Sequence, residues 1–320
     1  MTRRLASISV DLDEIPCYAG IHGLEVPPGC ERAIYDRALP RLRALFASEG
    51  LSATCFVIGT DLDREQNRAA LAALAGEGHE IANHSWHHLY DLSRRPRDEI
   101  RTEIETCGAA IERAIGERPV GFRAPGYTIT TELFEVLEEL GYLYDSSVFP
   151  CPAYWSAKAL ALGAIRARGR RSHSVLDDPR VLLAPADPYR RGAPYWQRGE
   201  GLLELPIGVT RDGTARLPYI GTSVVLSGEP GARLLTEMAV RRPFVNLELH
   251  GIDLADAEDD GLAWLKPHQP DLRRSARAKE AALRCAIATL RRHGYELVTI
   301  AEAARHFADA SSAGASSRSA

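Results

Sequence analysis

Apolar and polar positions along this chain switch period in a regular order. "LASISVDL" (5–12) alternates, which places alternate side chains on opposite faces of a strand. "ERAIYDRALPRLRALFASEG" (31–50) has helical periodicity and stops at a glycine. "LSATCFVIG" (51–59) is a β-branched run bounded by glycine, and so a second strand. "DREQNRAALAALAGEGHEIANHS" (63–85) predicts a helix, a glycine stop and a short strand. "RDEIRTEIETCGAAIERAIG" (97–116) is an amphipathic helix, and "PVGFRAPG" (119–126) a strand and loop. "TTELFEVLEELG" (130–141) is a helix with Thr at its start and Gly at its end, followed by "YLYDSS" (142–147). Near the end, "RRPFVNLELHGIDL" (241–254) is a strand and "ARAKEAALRCAIATLRRHGYE" (276–296) a helix. "YELVTIAEAARHF" (295–307) closes with a strand and a last helix. Strand and helix alternate in about seven βα-type units, the pattern of an α/β protein built on parallel strands. The architecture this predicts is a (β/α)-barrel, incomplete or distorted; the alternative is an open doubly wound sheet.

Two stretches break the rhythm. Residues 150–200 are rich in Pro, Arg, Gly and aromatics and read as an irregular insertion over the barrel rim. Loops of this length also serve as lids or binding loops. The end, "DASSAGASSRSA" (309–320), is low-complexity Ser/Ala and is expected to be a disordered tail behind one catalytic domain over 1–308. The chain shows no internal repeat.

Composition narrows the classes. Hydrophobic residues make up 45% and charged residues 26%, an ordinary globular balance. A net charge of −4 makes no electrostatic case for nucleic acid or an anionic membrane. "MTRRLASISVDLDEI" lacks the apolar run of a signal peptide, and no segment has the apolar length of a transmembrane helix. The expected compartment is the cytoplasm. The six cysteines contain no CxxC pair and read as free thiols.

Candidate chemistry then falls at strand ends. His79, His84, His87 and His88 crowd one short stretch of a chain with 10 histidines in all. On a helical turn the i, i+4 spacing of His84 and His88 would put two imidazoles on one face, either a solvated helix start or a metal site. Asp11 and Asp13 end the first strand, two apart and so on the same side, where their like charges call for a cation or an arginine. Arg123 follows a later strand in "FRAPG", and His250 another in "LELHGID". Barrel active sites are built at the C-terminal ends of the strands, so these four ends can converge. One carboxylate and two imidazoles make a three-ligand site with open positions.

These residues resemble the motifs of the polysaccharide deacetylase family (the NodB homology domain, carbohydrate esterase family 4). "VDLDE" resembles its acidic motif, "HSWHH" its His-x-x-x-His motif, "RAPGY" its Arg-containing motif and "LELH" its last motif, in the family's order. The resemblance implies a seven-stranded NodB-like barrel and a metal-dependent carbohydrate N-deacetylase. Asp13, His84 and His88 would hold the metal, zinc by default, with nickel, cobalt or iron also suited to one Asp and two His. Asp11 would be the base that takes a proton from the attacking water, Arg123 would hold the Asp11 carboxylate, and His250 would protonate the leaving amine. Tyr127 would line the oxyanion site by backbone or side chain. His87 has no family role and reads as facing out or supporting the turn.

The chain also departs from the family. Its Asp- and Trp-rich fourth motif is replaced by "GYLYDSSVFP", where Asp145 either tunes the catalytic histidine or caps a strand end. The split Asp-x-Asp resembles a branch with lipid-linked-sugar deformylases and some imide hydrolases. A sugar site would present stacking aromatics, with Trp155 the first candidate and Tyr154, Tyr195 and Trp196 beside it. The expected substrate is an N-acetylated or N-formylated amino sugar or sugar conjugate, with lipid-linked forms included. The alternatives are hydrolysis of a small cyclic amide or imide, and an inactive metal- or glycan-binding protein. An oligomer is compatible with all of these.

Overall fold

The computed structural model describes residues 3–316, with side chains described through residue 309. Its elements run β1 (Leu5–Asp11), α1 (Ile15–His22), α2 (Leu39–Glu49), β2 (Thr54–Val57), α3 (Glu65–Gly76), β3 (Glu80–Asn83), α4 (Arg97–Ile115), β4 (Gly121–Phe122) and α5 (Thr131–Glu139). They continue with β5 (Tyr144–Asp145), α6 (Pro152–Ala167), β6 (Tyr189–Arg191), β7 (Arg198–Glu204), α7 (Gly221–Ala239), β8 (Phe244–His250), α8 (Ala276–Arg292), β9 (Glu296–Leu297) and α9 (Ile300–Ser316). Seven strands are parallel, in the order β7-β5-β4-β3-β2-β1-β8; β6 is antiparallel on the β7 edge, and β9 pairs with the first residues of β1.

Alternation along the strands sorts side chains between two environments. Ile8 and Val10 of β1 and Leu247 and Leu249 of β8 pack with Leu42, Phe46, Leu283 and Ile287 of the surrounding helices. The opposite face of the same strands is polar: Ser9 donates from its hydroxyl to Asn246 Oδ1 at 2.9 Å. That interior face shows how far the sheet curls. β5 and β8 are five steps apart in the strand order, about 24 Å in a flat sheet. Yet Asn246 Nδ2 of β8 donates to Ser146 Oγ, just past β5, at 3.1 Å. The sheet is therefore a curled, incomplete barrel. Among the described residues no ladder joins β7 to β8. Irregular chain crosses that gap, with an isolated parallel bridge between Ile220 and Glu248. Gly208 lies so close to β8 that a Cβ there would meet the Asn246 carbonyl oxygen at 2.2 Å.

Three expectations change. The 150–200 insertion is not irregular throughout: it opens with α6 and ends with the hairpin of β6 and β7. Pro152 starts α6, a position proline tolerates because the first N–H groups of a helix lack internal partners. The sequence pattern hides this helix because its inner face is only half-buried, so it needs no strong apolar stripe. Next, His84 to His88 form no helical turn; Ser85 and His88 both adopt positive φ, at 65° and 53°. Finally, α9 runs to Ser316, into the stretch expected to be a disordered tail; residues 317–320 lie outside the described residues. All six cysteines are free thiols. Among the described residues no helix is long and apolar enough to cross a membrane.

Candidate active site

Register sets the first contacts. β1 and β8 are parallel, with Asp11 opposite His250 and Ser9 opposite Glu248. All four point into the polar interior of the curled sheet. Asp13 lies two residues past β1, in the turn to α1. Glu14 anchors that turn: its carboxylate accepts from the backbone N–H of Ile34 at 3.1 Å and of Tyr35 at 3.0 Å. Burial pushes the Glu14 carboxyl up to about 7, although these N–H groups work the other way.

The histidine turn is built on Asn83, the last residue of β3. Its Oδ1 accepts from Ser85 N–H at 2.8 Å, and Ser85 Oγ accepts from His88 N–H at 3.1 Å. His87 points away from the site and contacts Glu103 of α4 at 2.5 Å, with its own N–H also bound to that carboxylate. His87 thus supports the turn. His84 Nδ1 lies 2.7 Å from the carbonyl oxygen of Arg123. A carbonyl only accepts, so Nδ1 carries the proton and Nε2 keeps its lone pair for the cavity.

That lone pair faces Asp13. His84 Nε2 is 3.4 Å from Asp13 Oδ1, and His88 Nε2 is 3.2 Å from Asp13 Oδ2. The donor atoms of Asp13, His84 and His88 all lie within 4.8 Å of one another. Asp13 Oδ1 and both ring nitrogens of His88 are buried without hydrogen-bond partners. Buried polar atoms are normally paired, so Asp13 Oδ1 and His88 Nε2, orphaned beside the free Nε2 of His84, fit a divalent cation. Burial alone would raise the Asp13 carboxyl; His88 and His84 hold it well below the usual carboxylate range.

Beside this group sits a buried ion pair. Arg123 Nη1 donates to Asp11 Oδ1 at 2.6 Å. Its remaining donors reach Ser146 O at 2.8 Å, and Ser9 Oγ and Ser146 Oγ at 3.0 Å each. The guanidinium also lies over the Phe56 ring, 4.0 Å from its centroid. Asp11 Oδ2 is left buried and unpartnered, 3.7 Å from His84 Nε2.

The third group is His250. Its Nδ1 is 2.9 Å from Glu248 Oε1, and its Nε2 is 3.4 Å from the Tyr127 hydroxyl. Burial disfavours the imidazolium, but Glu248, and after it Asp11 and Asp13, outweigh that and raise the His250 pKa well above its ordinary value. Asp145 does not touch His250. Its carboxylate accepts from the Ser147 hydroxyl at 2.8 Å and the Ser147 N–H at 2.9 Å, and Ser147 Oγ in turn accepts from Ala124 N–H at 2.8 Å. Asp145 therefore caps a strand end and steadies the Arg123 loop, and Glu248 is the carboxylate at the histidine. The sequence signal for Glu248 was there in "LELH": two residues before His250 on one strand is the same face.

Tyr127 lines the catalytic cavity, at a φ of 61°. Its backbone N–H is used by Ala124 O at 3.1 Å, which leaves the hydroxyl as its polar group toward the site. Trp155 does not line that cavity. It donates from Nε1 to Asp177 O at 3.0 Å and borders a separate cavity of about 670 Å³ with Tyr195 and Trp196. Of the four aromatics proposed to stack on a sugar, Tyr154 alone faces the catalytic cavity.

Residues 33–144 match the family model of polysaccharide deacetylase. Over that segment the chain is similar to the polysaccharide deacetylases. The matched segment holds His84, His88, Arg123 and Tyr127; Asp11, Asp13 and His250 lie outside it and are brought to them by the fold. A peptidoglycan deacetylase-like protein of Gibberella zeae is 37% identical over 76 residues, 24% of this chain and 22% of that protein. A peptidoglycan-N-acetylglucosamine deacetylase of Bacillus cereus is 32% identical over 103 residues, 32% of this chain and 46% of that protein. The chain thus matches less than half the length of either relative. Among solved structures, a Mycobacterium smegmatis protein assigned to the polysaccharide deacetylases superposes with a TM-score of 0.56 at 19% identity, covering 96% of this chain and 91% of that one. A CE4 family pseudoenzyme from Bacillus anthracis gives 0.50 at 13% identity, covering 94% and 65%. Both share the curled α/β fold.

Proposed function

We propose that this chain is a metal-dependent hydrolase that removes an acetyl or formyl group from the nitrogen of an amino sugar or sugar conjugate. The observation that carries the reading is the convergence on one cavity of Asp13, His84 and His88 with Asp11–Arg123 and Glu248–His250. A divalent cation at the triad, zinc by default, would supply Lewis-acid activation of water and of the acyl carbonyl. Asp11 takes the proton of the attacking water on Oδ2, the oxygen Arg123 leaves free. Arg123 orients Asp11 by donating to its Oδ1. His250, held protonated by Glu248, gives its proton to the departing nitrogen, which cannot leave as an anion. The Tyr127 hydroxyl, within reach of His250 Nε2, orients that ring.

Each group of a hydrolytic set is present, which supports catalysis over a binding-only role. A second reading, a hydrolase of small cyclic amides or imides, draws support from the cavity volume of about 150 Å³, close to that of a cavity known to hold benzene. The test is a screen for released acetate or formate over N-acylated sugars and conjugates, with cyclic amides and imides as the second arm. Chelated and metal-restored protein are run side by side. Release from the sugar arm alone, lost on chelation and regained with metal, is the expected result. Turnover confined to the ring compounds would replace the first reading by the second.

A further inference from the structure

The strand ends supply the acid–base groups, but one wall of the cavity comes from elsewhere. Tyr154 and Lys158 of α6, and Ser174 beyond it, line the same cavity as Asp11 and His250. This roof is pinned at several points. His173 N–H donates to Gly20 O of α1 at 3.1 Å, and Lys158 Nζ donates to Gly126 O at 2.9 Å. An ammonium has three N–H donors, and Gly126 takes one. Among the described residues Lys158 forms no ion pair; Asp177 acts on it only at longer range. Burial pushes the Lys158 pKa down to about 8, so the group is still cationic at neutral pH. The carboxylates of the cavity floor have other partners, Asp11 in Arg123, Asp13 in the metal its triad would hold, and Glu248 in His250. From Pro152 to Leu176 the chain carries Lys158 and four exposed arginines (Arg166, Arg168, Arg170 and Arg171) outside the cavity lining, and Asp177 and Asp178 follow. A cation with spare donors and no direct ion pair in a cavity wall favours an anionic ligand group.

We propose that Lys158 makes this site selective for substrates that carry an anionic substituent, a carboxylate or a phosphate, beside the N-acyl group. The proposal rests on the N-deacylase reading for its reaction, but not for its binding step. Metal-loaded wild-type protein, Lys158→Met and Lys158→Gln are compared on three probes: N-acetylglucosamine, its 6-phosphate, and N-acetylmuramic acid, which bears a carboxylate. Lys158→Gln keeps a donor for Gly126 O and removes only the charge. Both variants are expected to lose about tenfold or more in kcat/KM on at least one anionic probe, through KM, while N-acetylglucosamine changes by less than about twofold. A loss confined to the phosphate or to the carboxylate probe identifies the anion. Equal losses on all three probes in Lys158→Gln would overturn the proposal and leave Lys158 as a pin for the roof. Calorimetric binding of the same probes needs no turnover and separates the two readings. If wild-type protein cleaves none of them, the amino-sugar reading fails, while tighter binding of an anionic probe that Lys158→Gln abolishes still upholds Lys158. Binding that is the same for charged and neutral probes overturns it.

Discussion

Asp11, Asp13, His84, His88, Arg123 and His250 descend from the ends of β1, β3, β4 and β8, and all but the partly exposed His250 are almost wholly buried. The wall opposite them is α6, in which no residue is buried. The floor is over-determined: Arg123 alone is held by Asp11, Ser9, Ser146 and the Phe56 ring. The roof is held by a few polar pins, such as Lys158 to Gly126 and His173 to Gly20. Groups that move protons need fixed distances, and a buried parallel sheet fixes them. A wall that only selects and admits a substrate can rest on fewer contacts, and segments with little buried surface open most easily.

The comparison breaks first if the floor tolerates substitution. Asp13→Ala, His84→Ala and His88→Ala should each lose the metal and with it all turnover above the uncatalysed rate. Metal content by atomic absorption checks this, and a full equivalent retained in both histidine variants would refute the triad. Asp11→Asn should keep the metal and lose about 10²-fold or more in turnover, the scale of a general base. If it loses the metal instead, Asp11 and Asp13 exchange roles.

His250 comes next. His250→Ala should retain metal and slow amide cleavage by about 10²-fold or more, but an activated aryl ester far less, because that leaving group needs no proton. Equal losses on the two substrates would make His250 a binding residue. Glu248→Gln tests the partner. The catalytic form is the imidazolium, so activity is present below the His250 pKa and lost as pH rises through it. Glu248 raises that pKa, so its removal should move the basic limb of the rate profile down by about one unit or more. An unmoved limb would mean that the profile reports another group.

The roof should give the smallest catalytic effect. Trp155 sits on α6 but faces a separate cavity, outside the catalytic one, so Trp155→Ala should change KM by less than about twofold while costing about 1–2 kcal/mol of stability by denaturant unfolding. A large rise in KM with unchanged stability would put Trp155 in the substrate path and make the roof a lid.

Strand alternation has period two, and it decides locally which residues share a face. That is why the sequence alone placed Asp11 with Asp13 on one side, and why the order of strand-end motifs pointed to one rim. What it left open were partnerships between residues far apart in the chain. Asp145 was read as a carboxylate that either tunes the histidine or caps a strand end, and only the fold shows it bound to Ser147, while the curl brings Ser146 to Asn246. The histidine spacing implied a helical turn, but Asn83 and Ser85 bind the backbone locally and stabilise a positive-φ turn instead. α6 gave little periodic signal because its inner face is only half-buried, and only the folded chain puts Lys158 over a cavity whose floor comes from β1, β3 and β8. Local pattern is set by the burial of each element's own face, whereas a pocket is the space between elements, and its walls are chosen by the packing of the whole chain.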